Sequence, residues 1–171
     1  MRQLLSQFMN TAFLLTGGNL GNRFQQLELA RKQIHQTCGQ IISASAIYKT
    51  AAWGFYEQPD FYNQALELQT FLSPDTLMLA LLSIEEKMGR KRTVKLGPRT
   101  IDIDILLIND LVYNSPILTI PHPHLQERRF ALTPLAEIAA NVIHPVFKKS
   151  INELLHECTD TLAVYKISGD E

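Results

Sequence analysis

Cysteine is scarce in this chain. Two occur among 171 residues, Cys38 and Cys158, and they lack metal-ligand spacing. That excludes a disulfide framework and a thiolate zinc site, and it fits a reducing compartment, the cytoplasm. Long apolar runs are missing too: no stretch is long enough to span a bilayer. The segment Met1–Asn10 is too polar for a signal peptide. Excess charge is also lacking, with 16 Lys and Arg against 17 Asp and Glu, a formal net charge of −1. A general nucleic-acid binder would carry a broad basic surface, so the charge argues against that class. Neither a Gly-Lys-Ser/Thr P-loop nor the kinase His-Arg-Asp element is present, which removes two common ways of holding a γ-phosphate. Internal repeats and low-complexity tracts are absent. What remains is an apolar fraction of 46%, ample for a core. The expected organisation is a flexible extension over 1–11 and a single domain over 12–171.

The most informative stretch is Gly97-Pro98-Arg99-Thr100-Ile101-Asp102-Ile103-Asp104-Ile105-Leu106-Leu107-Ile108. It reads as a buried strand carrying two carboxylates. Side chains alternate along a strand, so Asp102 and Asp104 share one face and Ile101, Ile103 and Ile105 the other. Two residues of rise put the carboxylates about 6–7 Å apart. Unpaired carboxylates are costly to bury, so they need partners. A hard divalent cation is the natural one, because Mg²⁺ takes oxygen ligands and few of them from protein. Lys87, Arg90, Lys91, Arg92, Lys95 and Arg99 precede the strand, and carboxylates beside guanidinium groups suit a polyphosphate. Three residues alone leave open a solvated edge strand or a structural Asp–Arg pair. The apolar run after the Asp pair favours the buried reading.

Elsewhere the pattern predicts a central strand at Ala12–Thr16, ended by Gly17-Gly18-Asn19. Leu20, Phe24, Leu27, Ala30, Ile34 and Cys38 recur at helical spacing, with Gly39 as a stop. Ile41–Tyr48 reads as one strand, Thr50–Asp60 as a loop and Phe61–Phe71 as another strand. Ser73-Pro74 opens a helix through Leu77, Leu81, Ile84 and Met88. Asn109-Asp110 predicts a hairpin turn into Leu111–Tyr113. Leu125–Ala140 reads as helical in two pieces, broken at Pro134. Ser150-Ile151-Asn152-Glu153 is a capping box opening a last helix, and Leu162–Ile167 is a final strand. Hairpins mixed with helices indicate α+β with a mainly antiparallel sheet.

Gly17-Gly18-Asn19-Leu20-Gly21-Asn22 could cradle phosphate at a helix N-terminus, but a tight strand-to-helix turn is the better reading. Trp53, Phe55, Tyr56, Phe61 and Tyr62 crowd one region, as core or as a ligand cage. His122 and His124 lack a third spaced ligand, so zinc is disfavoured; His122 could touch phosphate.

Several segments together resemble the 6-hydroxymethyl-7,8-dihydropterin pyrophosphokinase family of folate biosynthesis. They are Leu14-Leu15-Thr16-Gly17-Gly18-Asn19-Leu20-Gly21, Tyr48-Lys49-Thr50 with Trp53-Gly54, and Gln58-Pro59-Asp60-Phe61-Tyr62-Asn63. The others are Ile84-Glu85 with Gly89-Arg90-Lys91-Arg92, the Gly97–Leu106 element, and Pro121-His122-Pro123 with Arg128-Arg129-Phe130. The Gly-Pro-Arg-Thr-Ile-Asp-Ile-Asp element is the most specific. The resemblance implies a ferredoxin-like α+β fold, a mainly antiparallel sheet flanked by helices, with mobile loops closing over the substrates. It implies transfer of diphosphate from ATP to the hydroxymethyl group of 6-hydroxymethyl-7,8-dihydropterin, releasing AMP.

By the same resemblance Asp102 and Asp104 hold two Mg²⁺ ions, and Arg90 and Arg99 join them as catalytic residues. Glu85, Arg92, Ile105, His122 and Arg128 match nucleotide-binding positions, Ile105 through its backbone. Thr50, Trp53, Phe61, Asn63 and Phe130 match substrate-binding positions, with Phe61 and Phe130 sandwiching the pterin. The implied protein is a cytoplasmic monomer with small-molecule substrates and no nucleic-acid or membrane partner. No dihydropteroate synthase domain is expected to follow. Three departures stand out: Gly18 for the usual Ser, Ala51-Ala52 for the usual prolines, and Leu96 for an aromatic residue. Two other readings compete with this one. A glycosyltransferase using Asp-x-Asp normally needs a larger nucleotide-binding domain. An RNA-binding module would need exposed aromatics and a broad basic face.

Overall fold

The computed structural model describes residues 8–52, 57–91 and 97–167. Trp53, Phe55, Tyr56, Arg92 and Leu96 lie outside these, as does most of the expected N-terminal extension. The strands are β1 (Asn10–Gly18), β2 (Gln40–Ala44), β3 (Ile47–Thr50), β4 (Phe61–Thr70), β5 (Asp102–Ile108), β6 (Tyr113–Asn114), β7 (Thr119–Ile120) and β8 (Val164–Ile167). The helices are α1 (Arg23–Thr37), α2 (Pro74–Lys87), α3 (Arg129–Ala139) and α4 (Ile151–Glu157). The main sheet runs β5-β1-β4-β3-β8, with β2 also on β4. Its described pairings are all antiparallel. The succession β1-α1-β2/β3-β4-α2-β5 is the split βαβ arrangement of ferredoxin-like folds, as expected.

Both faces of the sheet are covered. Ala12 and Leu14 of β1, Leu66 and Leu68 of β4, and Ile103 and Ile105 of β5 pack against Leu27, Ala30 and Ile34 of α1 and Leu77, Leu81 and Ile84 of α2. Phe13, Leu15, Ala65, Leu106 and Leu107 pack on the other side against Ala131, Leu132 and Leu135 of α3 and Ile151 and Leu154 of α4. Burial on both faces explains why β1 and β5 read as continuous apolar runs. A register shift between Phe13 and Leu14 sets Phe13 against Leu107 but Leu14 against Ile105. Leu106 is the extra residue, so Leu106 and Leu107 both serve the α3/α4 side. Below that bulge the alternation is regular, and it carries Asp104 and Asp102 onto the α3/α4 side.

Local chemistry accounts for the helix ends. Asn22 caps α1 through the Gln25 amide; Ser73 caps α2, with Pro74 opening it. The Ser150–Glu153 capping box forms as expected. Leu20 precedes α1 and is exposed, so it is not part of the helix's apolar face.

Four expectations are corrected. The Ile41–Tyr48 strand is two strands, because Ser45 interrupts the ladder: its hydroxyl accepts the Ala65 amide at 2.9 Å while its own amide donates to the Ala65 carbonyl at 2.9 Å. The predicted β5–β6 hairpin does not form. Asn109 instead extends the contact with β1, accepting from the Thr11 amide at 2.8 Å and donating its own amide to the Thr11 carbonyl at 2.9 Å. β6 pairs with β7. Helix α3 runs through Pro134, and the break falls at Arg128, whose φ of −119° and ψ of 97° are extended. Pro134 leaves the Phe130 carbonyl without its helical donor, and the packing of Ala131, Leu132 and Leu135 on the sheet holds the helix through it. Finally, Gly17 and Gly18 are not a turn but the last residues of β1.

Candidate active site

Asn63, Gly17 and Asp102 are neighbours across three adjacent strands. Gly17 is the low point between them: a Cβ there would collide with Asn63 Oδ1. A Cβ at Gly18 would collide with the Thr100 carbonyl. These glycines serve close approach of backbone and side chains, with Gly17 forming the floor of a cleft. The cleft is lined by Leu15, Gly17, Thr50, Ala51, Phe61, Asn63, Arg99, Asp102, Asp104, Arg128 and Phe130. It lies on the α3/α4 side, where the cover ends: Arg128 and Phe130 stand at the N-terminal end of α3.

One wall is charged. Arg90 Nη1 donates to Asp102 Oδ1 at 2.7 Å, and Arg99 Nη1 donates to Asp102 Oδ2 at 2.8 Å. Arg90 also lies 2.7 Å from Glu85 Oε1, and that same oxygen accepts the Ile103 amide at 2.7 Å. The chain turns to place Arg90 here at Gly89, whose φ of 84° closes α2, with the Arg90 amide on the Glu85 carbonyl at 3.1 Å. Burial alone would weaken the charge on Arg90, yet Asp102 and Glu85 beside it hold the guanidinium above its usual pKa.

Asp104 differs from its neighbour. Burial, and next the negative charge of Asp102, push its carboxyl up to about 7, against the pull of Arg128. The arginines thus answer Asp102 more fully than Asp104. Beyond Asp104 sits His122, whose burial, reinforced by the positive charges of Arg128 and His124, lowers its pKa to about 4. The ring is therefore neutral near pH 7. Its Nδ1 accepts the His124 amide at 3.1 Å, which assigns the ring proton to Nε2.

The opposite wall is aromatic and neutral. Phe61 and Phe130 both line the cleft. The Arg99 guanidinium lies 5.7 Å from the Phe61 ring centroid, and Arg128 lies 5.8 Å from that of Phe130. Asn63 is buried, and its Nδ2 donates to Thr50 Oγ1 at 3.1 Å. The amide is thereby held in one orientation on the cleft floor.

Of the residues singled out from sequence, Thr50, Phe61, Asn63, Arg99, Asp102, Asp104, Arg128 and Phe130 meet in the cleft. Arg90 reaches it through Asp102. Glu85 is buried and bound to Arg90 and the Ile103 amide, behind the cleft rather than in its lining. The Ile105 side chain points to the α1/α2 core, which leaves only its backbone near β5's edge. Trp53 and Arg92 lie outside the described residues.

One residue was not anticipated. Asn19 is buried, its Oδ1 accepts the Arg99 amide at 2.9 Å, and its Nδ2 donates to Gln58 Oε1 and the Pro59 carbonyl, each at 2.9 Å. It ties the segment before Phe61 to the segment carrying Arg99. The signal available was an amide directly after two glycines at a strand end, which reads equally as turn chemistry.

A half-buried carboxylate pair flanked by guanidinium groups, sharing one cleft with two phenylalanine rings on an α+β fold, has the makings of a group-transfer site. Comparison with known proteins narrows this. The 7,8-dihydro-6-hydroxymethylpterin-pyrophosphokinase (HPPK) family model matches residues 13–140, and the chain belongs to that family. It is 40% identical over 151 residues to the 2-amino-4-hydroxy-6-hydroxymethyldihydropteridine pyrophosphokinase of Aquifex aeolicus, covering 88% of this chain and 94% of the relative. It is 40% identical over 145 residues to the folic acid synthesis protein fol1 of Schizosaccharomyces pombe, covering 84% of this chain but 20% of that protein. The crystal structure of wild-type Plasmodium falciparum HPPK-DHPS with pteroate superposes with a TM-score of 0.72 at 18% identity, covering 88% of this chain and 42% of that one. That likeness concerns the fold.

Proposed function

We propose that this chain transfers the diphosphate of ATP to the hydroxymethyl group of 6-hydroxymethyl-7,8-dihydropterin, with Asp102, Asp104 and the arginines at the phosphate end and Phe61, Phe130, Asn63 and Thr50 at the pterin end. The observation that carries this reading is the union of both walls in one cleft, with Arg99 touching each: it bonds Asp102 and approaches Phe61.

The donor set fits Mg²⁺. Two carboxylates share one strand face, and the charge around Asp104 is incompletely balanced. Among the described residues no group of three or more His, Cys, Asp or Glu side chains forms a cage, which matches an ion that keeps waters and phosphate oxygens. Two ions bound at Asp102 and Asp104 would neutralise phosphate charge and favour attack in line. The remaining work falls to side chains. Arg90 and Arg99 are held at fixed positions, ready to meet charge on the moving diphosphate. His122, neutral with its proton on Nε2, is suited to donate a hydrogen bond to phosphate rather than to act as a base. Arg128 reaches from the nucleotide side toward Asp104. Phe61 and Phe130 offer two faces for the pterin ring. Asn63, anchored by Thr50, presents its remaining acceptor and donor capacity to the ring edge. Arg92 and Trp53 remain assigned to nucleotide and pterin by family resemblance.

The bond formed joins the hydroxymethyl oxygen to the β-phosphorus, and the bond broken is that between the β-phosphorus and the oxygen retained by AMP. A diphosphate in transit carries more charge than one phosphoryl group, so it needs more cations along its path. Incubation with ATP, Mg²⁺ and the reduced pterin, resolved by anion exchange, should give AMP and a pterin diphosphate. Appearance of ADP with a pterin monophosphate would overturn the reading. We infer further that the chain works as a monomer without nucleic-acid or membrane partners. Its near-neutral charge speaks against a nucleic-acid partner, and among the described residues no helix is long and apolar enough to cross a membrane.

A further inference from the structure

We propose that Arg23 is a positioning residue for the pterin side of the cleft: it grips the residues on both sides of Phe61, the Asp60 carbonyl and the Tyr62 ring, and so fixes the Phe61 ring's place opposite Phe130. The inference rests on Phe61 being a pterin wall.

Arg23 is the first residue of α1. A cation there opposes the helix macrodipole, and the first turn of α1 holds no acidic residue to offset it. Helix stability therefore does not account for an arginine at this position. Its guanidinium is engaged elsewhere. Nη1 donates to the Asp60 carbonyl at 2.8 Å, and the group stacks 3.8 Å from the centroid of the Tyr62 ring, well inside cation–π range. Tyr62 is buried and braced edge-on by Phe24, with ring centroids 4.9 Å apart. Asp60 and Tyr62 are the residues immediately before and after Phe61. Tyr62 joins the α1/α2 core, so Phe61, its neighbour in β4, projects to the cleft side. Arg23 is outside the cleft lining and acts through the backbone. Upstream, Asn19 holds Gln58 and Pro59, so the turn between β1 and α1 secures the chain from 58 to 62. Lys49 adds an exposed contact to the Asp60 carboxylate at 3.8 Å, which contributes little. The planar guanidinium can stack on a ring and bond a carbonyl at once; an ammonium cannot do both with the same geometry.

The test is calorimetric. Unreactive 6-hydroxymethylpterin is titrated into protein saturated with Mg²⁺ and a non-cleavable ATP analogue, for wild type, Arg23→Ala, Arg23→Lys, Phe61→Ala and the Arg23→Ala/Phe61→Ala double variant. Arg23→Ala should weaken pterin binding about tenfold, while affinity for the analogue stays within about twofold of wild type. Arg23→Lys should fall between. Arg23→Ala should melt close to wild type, because alanine opens the helix without opposing its dipole. The double variant should bind pterin no more weakly than Phe61→Ala alone, since Arg23 acts through that ring. Additive losses, equal weakening of both ligands, or unchanged pterin affinity in Arg23→Ala would each overturn the proposal. If Phe61→Ala itself leaves pterin affinity intact, the pterin-wall reading fails and takes this proposal with it. If only Phe61→Ala weakens binding, the wall stands and Arg23 has no part in it.

Discussion

The two faces of the central sheet make different use of the same strands. Toward α1 and α2 the sheet is covered along its length: Leu14, Leu66, Leu68, Ile103 and Ile105 are all nearly inaccessible, and the polar Thr16 and Gln64 on that face are buried as well. Toward α3 and α4 the apolar cover stops at Leu15, Ala65 and Leu106. The next positions along those strands are Gly17, Asn63, Asp104 and Asp102. The site is the part of a core face from which the helix has been withheld. On the proposed function, adjacent residues of β5 therefore belong to different regimes, Ile103 to stability and Asp102 and Asp104 to chemistry. Substitutions on the two faces should separate cleanly in what they cost.

The largest expected effect is on turnover. On the proposed function, Asp102→Ala and Asp104→Ala should each lower it on the order of a thousandfold or more, because each removes a carboxylate proposed to hold metal, and among the described residues lining the cleft there is no third carboxylate to replace it. The two should differ in stability. The sequence alone suggests that removing either carboxylate relieves repulsion and leaves the fold intact. The structure divides them: Asp102 is paired with Arg90 and Arg99, and deleting it leaves Arg99 without its carboxylate and Arg90 with Glu85 alone. Asp102→Ala should accordingly melt lower than Asp104→Ala, as paired melting curves would reveal. If both melt alike, the arginines are not tied to Asp102 in solution.

Next in size is the opposite face of the same strand. Ile103→Ala should cost about 2–5 kcal/mol of stability, measured by urea unfolding, while the folded fraction keeps its affinity for nucleotide. A loss of nucleotide affinity without a loss of stability would erase the distinction between the faces. Smaller again is Phe130→Ala. It should weaken pterin binding by about 1–3 kcal/mol and leave nucleotide binding nearly unchanged. Equal loss of both ligands with a lowered melting temperature would mean that Phe130 is core.

The smallest effect concerns how α3 is fastened to the sheet beside the site. Tyr48 hydroxyl donates to Glu137 Oε2 at 2.5 Å, and Glu137 Oε1 accepts the Ala46 amide at 3.2 Å. Burial opposes ionisation of Glu137, but these bonds and Lys166 hold its carboxyl below the usual value. A depressed carboxyl stabilises the fold above its unfolded pKa, and that contribution is lost as pH falls through the folded one. Burial and the Glu137 bond push Tyr48 up to about 12, so its part is lost from about pH 10 upward, where the unfolded chain ionises first. Tyr48→Phe should cost about 1 kcal/mol near neutral pH, and the gap to wild type should narrow below pH 4. A gap that does not change with pH would show that Glu137 is not held ionised by this contact.

Much of the architecture was legible because its causes are local. Ser73-Pro74, Ser150 with Glu153, and the apolar spacing through Leu27, Ala30 and Ile34 announce their helices. The strict alternation of the Asp102–Ile105 stretch by itself places both carboxylates on one face. Other features depend on partners distant in the chain. The break at Ser45 exists because its hydroxyl meets the Ala65 amide, and nothing local marks it. Asn109 reads as a hairpin turn, but Thr11, across the sheet, claims it. Pro134 reads as a helix break, but the packing of Ala131, Leu132 and Leu135 against the sheet carries the helix through it. For the site, the residue types were visible, while the pairing of Asp102 with Arg90 and Arg99 and the latch at Asn19 required the fold.

The measurement that bears most directly on the distinction between the faces is the melting temperature of Asp104→Asn, with and without saturating Mg²⁺ and a non-cleavable ATP analogue. If Asp104 belongs to the chemistry and not to the fold, the variant free of ligand melts at or above wild type, because a buried, repelled carboxylate has been neutralised. It then loses most of the Mg²⁺-dependent rise that nucleotide gives wild type. A variant that melts several degrees lower without ligand, yet keeps the full rise with it, would contradict the account.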